Sequence, residues 1–272
     1  MITGPLRKMR TEPETPVAYR LPVGDALVAL SDRVGDTLVL KFEGQILCAN
    51  CGRETRKSYS QGHCFPCSQR LAACDLCVLQ PSRCHYHLGT CREPGWGDEH
   101  CMQTHIVYLA NTSGLKVGIT RAHQVMTRWM DQGAAQALPM FEVTSRRVSG
   151  LIEAAMARHV SDRTDWRALL RGPAELLDLP AARDRLIADC RTDIDDIIEQ
   201  FGDHAVRELP EARAVQIEFP VLEYPDKIRS LSFDRSPQIE GRLRGIKGQY
   251  LILDSGVLNV RKFGSYVVSI DG

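Results

Sequence analysis

Nine of the chain's ten cysteines fall between Cys48 and Cys101, a window of 54 residues in a sequence of 272. No other feature restricts the fold so strongly, because thiols at that density must be paired, ligating or packed away. Disulfides belong to oxidising compartments. The opening Met1-Ile2-Thr3-Gly4-Pro5-Leu6-Arg7-Lys8 lacks the apolar run of a secretion signal, and no later segment reaches about 18 consecutive apolar residues. The expectation is a cytoplasmic protein with no membrane partner, whose cysteines ligate metal.

Cys48-x2-Cys51 and Cys64-x2-Cys67 carry that expectation most clearly. Two residues between thiolates place both sulfurs on one tight turn, and two such turns complete a tetrahedral zinc site with Zn–S bonds of roughly 2.3 Å. Gly52 and Gly62 flank the pairs and suit the left-handed backbone such knuckles use. Cys74-x2-Cys77 looks like half of a second site, to be completed from Cys84, Cys91 and Cys101, with one cysteine left over. Two zincs with thiolate shells leave no open position for water, so both are expected to be structural.

Formal net charge is zero, from 34 basic and 34 acidic residues. This excludes a uniformly basic nucleic-acid coat but not a local basic face. Residues 48–171 carry a net +5 and residues 172–212 a net −7, so neutrality is a cancellation. In the acidic stretch, Leu186, Cys190, Ile194, Ile197, Ile198 and Phe201 recur at helical spacing, which predicts one helix over 181–201 with a solvated acidic face.

Short apolar runs at 26–30 and 37–47, and again at 249–253, 257–260 and 266–270, predict β-rich ends. Asp254-Ser255-Gly256 reads as a hairpin turn. The two ends are expected to close together into one small barrel. Between them, His105–Asn111 and Leu115–Thr120 predict a hairpin, Gln124–Asp131 a helix, Leu138–Val143 a third strand, and Leu151–Val160 a second helix capped by Ser149.

That order of elements, with its residues, resembles the GIY-YIG nuclease superfamily over about residues 105–165. Ile106-Val107-Tyr108 matches the first signature triplet. Lys116-Val117-Gly118 matches the second, with lysine in place of tyrosine. Arg128, followed by Trp129, matches the helix arginine, and Glu153 matches the metal-binding glutamate. The family's histidine four residues after the arginine is Gln132 here. The whole chain also resembles a bacterial zinc-binding family known as a domain of unknown function, which implies no activity.

The nuclease resemblance implies phosphodiester hydrolysis on DNA or RNA with one Mg²⁺ or Mn²⁺. Tyr108 would position or deprotonate water, Lys116 would serve as base or second cation, and Arg128 would bind phosphate. Glu153 would hold the metal, while Arg121, His123 and Trp129 would contact nucleic acid. Four of these residues also have a plain structural explanation: Tyr108 as core, Glu153 as a helix first-turn acid, Arg128 and Trp129 as a stacked pair. A second reading is therefore a non-catalytic module that binds nucleic acid or protein. A third is a thiol redox sensor built on the surplus cysteine.

The predicted architecture is α+β. A β-rich segment (1–47) precedes a zinc-ribbon or knuckle region (48–104), a GIY-YIG-like α/β core (105–171), an acidic helical segment (172–212) and a β-rich C-terminal domain (213–272).

Overall fold

Alternation is the plainest cause of the strands. Between Thr37 and Ile46, Leu38, Leu40 and Ile46 are buried while Thr37 and Lys41 face water, the period of two expected of a strand with one covered face. The computed structural model describes residues 1–161 and 163–271. Its N-terminal part contains β1 (Ile2–Pro5), β2 (Arg10–Glu12), β3 (Ala18–Val23), β4 (Ala26–Ala29) and β5 (Thr37–Ile46). The cysteine-rich stretch is built of single turns and three short helices, α1 (Phe65–Arg70), α2 (Leu76–Leu79) and α3 (Pro94–His100). Next come β6 (His105–Asn111), β7 (Leu115–Arg121), α4 (Val125–Asp131), β8 (Gln136–Val143) and α5 (Arg146–Met156). The rest comprises α6 (Trp166–Leu169), α7 (Leu179–Asp189), α8 (Arg191–Phe201), β9 (Val206–Glu208), β10 (Val215–Gln216), β11 (Gln238–Lys247), β12 (Tyr250–Leu253), β13 (Gly256–Asn259) and β14 (Tyr266–Ile270).

The two ends of the chain do share a sheet, in the order β1-β14-β5-β11-β12-β13, but the expected barrel is not closed. The strand path is open, with β1 and β13 at its ends, and β2-β3-β4 form a separate three-stranded sheet. The turn at Asp254-Ser255 is the predicted hairpin, joining β12 to β13 with Leu253 opposite Gly256.

The middle of the chain forms a five-stranded antiparallel sheet in the order β10-β8-β6-β7, with β9 also on β8. Every residue of β6 is buried because both faces are covered. One face carries Ile106, Tyr108 and Ala110, which join Trp129 and Met130 of α4 and the apolar residues of the six-stranded sheet in one core. The other carries Val107, Leu109, Val117 and Ile119 against Val148, Ile152 and Met156 of α5 and the apolar stripe of α7 and α8. Each fully buried side chain of this size is worth about 1.5–3 kcal/mol.

Two helix boundaries differ from the sequence expectation. α5 begins at Arg146, five residues before Leu151, and its cap is Ser145, whose side chain accepts from the Val148 N–H. Ser149 lies inside the helix, where its hydroxyl donates to the Arg146 carbonyl at 2.8 Å. The single helix over 181–201 is two helices, α7 and α8, joined at Cys190, whose ψ of 10° departs from helical values. The stripe survives the break: Leu186, Cys190, Ile194 and Ile197 all remain buried in one core. Among the described residues no helix is long and apolar enough to cross a membrane.

Candidate metal centre and basic cleft

Cys48, Cys51, Cys64 and Cys67 come together as their spacing predicts, with all four sulfurs within 4.8 Å of one another. Two turns build the centre. In the first, the Gly52 N–H donates to the Cys48 carbonyl at 2.9 Å and the Cys48 N–H to the Arg53 carbonyl at 2.8 Å. Gly52, with φ of 69°, completes the reversal. In the second, α1 starts directly after Cys64, so Cys67 sits in its first turn. The Cys64 N–H points at the Cys48 sulfur (3.3 Å) and the Asn50 amide at the Cys67 sulfur (3.4 Å).

These contacts set the acidity of the thiols. Burial pushes Cys48 up, but N–H groups of Cys51, Cys64 and Asn50 outweigh it and hold the thiol down at about 6. Cys67 is favoured as thiolate by Asn50, yet burial and the three neighbouring sulfurs push it up to about 12. Four thiolates so close repel unless a cation sits among them. A soft, tetrahedral ion such as zinc meets that need, and the donor set therefore fits zinc.

The second group of cysteines divides differently from the sequence expectation. Cys77, Cys84, Cys91 and Cys101 line one small cavity together with Asp75 and His85, whereas Cys74 is not on its wall. Asp75, Cys77 and His85 also form a group within 4.8 Å that could hold a metal. Burial and then the Asp75 charge push Cys77 up to about 12. Hydrogen bonding to Cys101 holds Cys84 down at about 6 despite burial, and raises Cys101 correspondingly.

A cleft of about 600 Å³ lies where the first cysteine centre meets the N-terminal strand, the C-terminal turn before β14, and α4. Arg7, Lys8, Arg128 and Arg261 line it against one carboxylate, Asp131. That carboxylate is already engaged by Lys8 at 2.6 Å and by the Gln249 amide at 2.9 Å. Among the described residues, Arg7, Arg128 and Arg261 have no ion-pair partner. Desolvation in the cleft and then the nearness of Arg128 push the Arg261 pKa down.

Of the residues matched to the nuclease motif, Arg128 alone lines this cleft. Tyr108 is 0% exposed, and its ring packs edge-on to Trp129 with centroids 5.9 Å apart. Burial raises its phenol pKa. Arg128 and Gln132 pull it down and Glu153 pushes it up, so all three sit in its electrostatic neighbourhood. Nevertheless the Tyr108 hydroxyl, Arg128 Nε and Gln132 Oε1 are each buried without a partner in hydrogen-bonding geometry. Lys116 is 6% exposed in β7, opposite Ala110. Glu153 is half-buried on α5.

The residues matched to nucleic-acid contact are scattered. Trp129 is only 2% exposed, so its indole is unavailable as a stacking platform. His123 is exposed, and Arg121 donates to Gln124 at 2.7 Å; neither lines the cleft. Sequence reasoning missed Arg7, Lys8 and Arg261, which come from opposite ends of the chain and share no local pattern.

Fold and site define a mixed α+β protein of several sheets with a four-cysteine centre suited to a zinc knuckle. The chain belongs to the family described as protein of unknown function (DUF2797), whose model matches residues 35–268. No match to the chain was found among curated proteins or among solved structures.

Proposed function

We propose that the protein is a zinc-stabilised nucleic-acid-binding module whose basic cleft grips the phosphate backbone of DNA or RNA. The observation that carries this reading is the cleft: among the described residues, three arginines without ion-pair partners line about 600 Å³ in which the one lining carboxylate is engaged. Guanidinium groups match phosphate oxygens two at a time, and each phosphate bound releases counterions. The zinc knuckle supplies one wall through Cys48, Ala49 and Gly52, so metal binding would hold that wall in place.

The central sheet supports assigning the core as GIY-YIG-like. Its elements run β6-β7-α4-β8-α5 with β6 between the other two strands, and Tyr108, Gly118, Arg128 and Glu153 fall on β6, β7, α4 and α5 in that order. Within such a core, the burial of Tyr108 and Lys116 favours binding over turnover, because a general base must reach its water.

The test is fluorescence anisotropy with labelled single- and double-stranded DNA and RNA, without added Mg²⁺. Binding that weakens steeply with salt supports the module. No binding at low salt overturns it.

Hydrolysis is the second reading, favoured by the electrostatic coupling of Tyr108 to both Arg128 and Glu153. Glu153 would hold a Mg²⁺ or Mn²⁺ ion there. Cleavage that needs the divalent ion and disappears in Glu153→Gln would establish it; intact substrate under every condition would remove it.

A further inference from the structure

Cys77, Cys84, Cys91 and Cys101 line a space of about 10 Å³ together with Asp75 and His85. A cavity of that size holds about one water-sized sphere. It excludes an organic ligand and suits a bare ion. We propose that Cys77, Cys84, Cys91 and Cys101 hold a second structural zinc and that Cys74, despite its Cys-x2-Cys spacing, lies outside the coordination shell.

Local structure separates the two cysteines of that pair. Asp75 caps α2 by accepting from the Cys77 N–H at 3.1 Å, which puts Cys77 in the first turn and turns it inward, where it is buried. Cys74 belongs to the preceding 3-10 turn and is half-buried. On the opposite wall, α3 approaches closely because residue 97 is glycine. A Cβ there would meet the Tyr86 ring at 2.7 Å and the Cys91 sulfur at 3.4 Å. α3 then ends at its C-cap, Cys101, which lines the same cavity.

Asp75 and His85 form an outer shell. Asp75 pairs with Arg92 at 2.6 Å, and His85 directs Nδ1 to the Thr90 hydroxyl at 2.8 Å and Nε2 toward Asp75 at 3.6 Å. His85 also follows Cys84 directly, and side chains of consecutive residues diverge. Four thiolates on one zinc leave net negative charge, and Arg146 lies alongside. Its guanidinium donates to the Val78 carbonyl at 2.7 Å and its backbone N–H to the Cys101 carbonyl at 2.8 Å. The same turn supports the core: a Cβ on Gly150 of α5 would collide with the backbone of Pro81 and Ser82. A zinc at Cys84 therefore fixes the surface on which α5 rests. This inference is independent of any nucleic-acid role.

Zinc content of the purified full-length chain tests it. Two zincs per chain are expected in the wild type, in Cys74→Ser and in His85→Gln, and one in Cys84→Ser and in Cys91→Ser. One zinc in the wild type, loss of a zinc in Cys74→Ser or His85→Gln, or retention of both in Cys91→Ser overturns the assignment. If Cys84→Ser or Cys91→Ser fails to fold, cobalt substitution of the soluble proteins decides. Thiolate-to-cobalt absorption in Cys74→Ser should equal that of the wild type, and a drop of about one eighth overturns the proposal.

Discussion

Gly118 stands directly opposite Tyr108 in the β6–β7 ladder, and a Cβ on Gly118 would lie 2.8 Å from the tyrosine hydroxyl. The glycine of the second triplet is there to make room for the tyrosine of the first. Gly118→Ala should therefore destabilise the protein by about 1–3 kcal/mol through overpacking. Gly95→Ala on α3 has open space around it and a helical backbone, so it should be neutral or stabilising by up to about 1 kcal/mol. Urea denaturation of the two variants checks the contrast.

The Tyr108 hydroxyl is buried without a hydrogen-bond partner, so removing it relieves a desolvation cost. Tyr108→Phe should leave stability unchanged or raise it by up to about 1 kcal/mol. It should also leave nucleic-acid affinity unchanged. Abolished cleavage in a variant that melts like the wild type would instead mark the hydroxyl as catalytic.

Cys51 is exposed, which ordinarily predicts a harmless substitution, while Cys190 is fully buried. The order should reverse for metal. Cys51→Ser should lose one zinc and several kcal/mol of stability, with hydrogen exchange rising across residues 48–67. Cys190→Ser should keep every zinc and show only the cost of a hydroxyl in an apolar stripe.

Lys247 is 2% exposed, donates to the Leu169 carbonyl at 3.1 Å, and has its pKa pushed down to about 8 by burial. Its charged form is thus disfavoured in the folded state. Its contribution to stability is fully present above the unfolded pKa near 10.5 and is lost as pH falls through about 8. The span corresponds to about 3 kcal/mol. Wild-type stability minus that of Lys247→Met should rise between pH 8 and 10.5, measured by denaturant titration at each pH.

The features legible in the sequence are those written in local spacing. The four cysteines of the first centre, the β6–β7 hairpin and the Asp254–Gly256 turn each rest on short stretches of residues whose types and spacing dictate a geometry. The two ends share one sheet as expected, through pairings such as Lys41 with Gln238 and with Ser269, but its failure to close was not legible, because closure would need β1 to pair with β13, which no local pattern sets. The local structure of the Cys74–Cys77 pair was not legible from its spacing, because Asp75 caps α2 and sets Cys77 in its first turn. Trp129 was expected to contact nucleic acid beside Arg128. Only the packed structure shows that the apolar face of α4 places its indole in the core and leaves Arg128 at the cleft.

Phosphate binding by the arginines of the cleft is the function proposed for this protein. Its most direct measurement compares the salt dependence of single-stranded oligonucleotide binding in the wild type and in an Arg7→Ser, Arg261→Ser double variant; both residues are exposed and neither packs in the core. With two phosphate contacts removed, the slope of log K against log salt should become shallower by about 1.4. Affinity at low salt should fall as well. Identical slopes and affinities for the two proteins would contradict phosphate binding in the cleft.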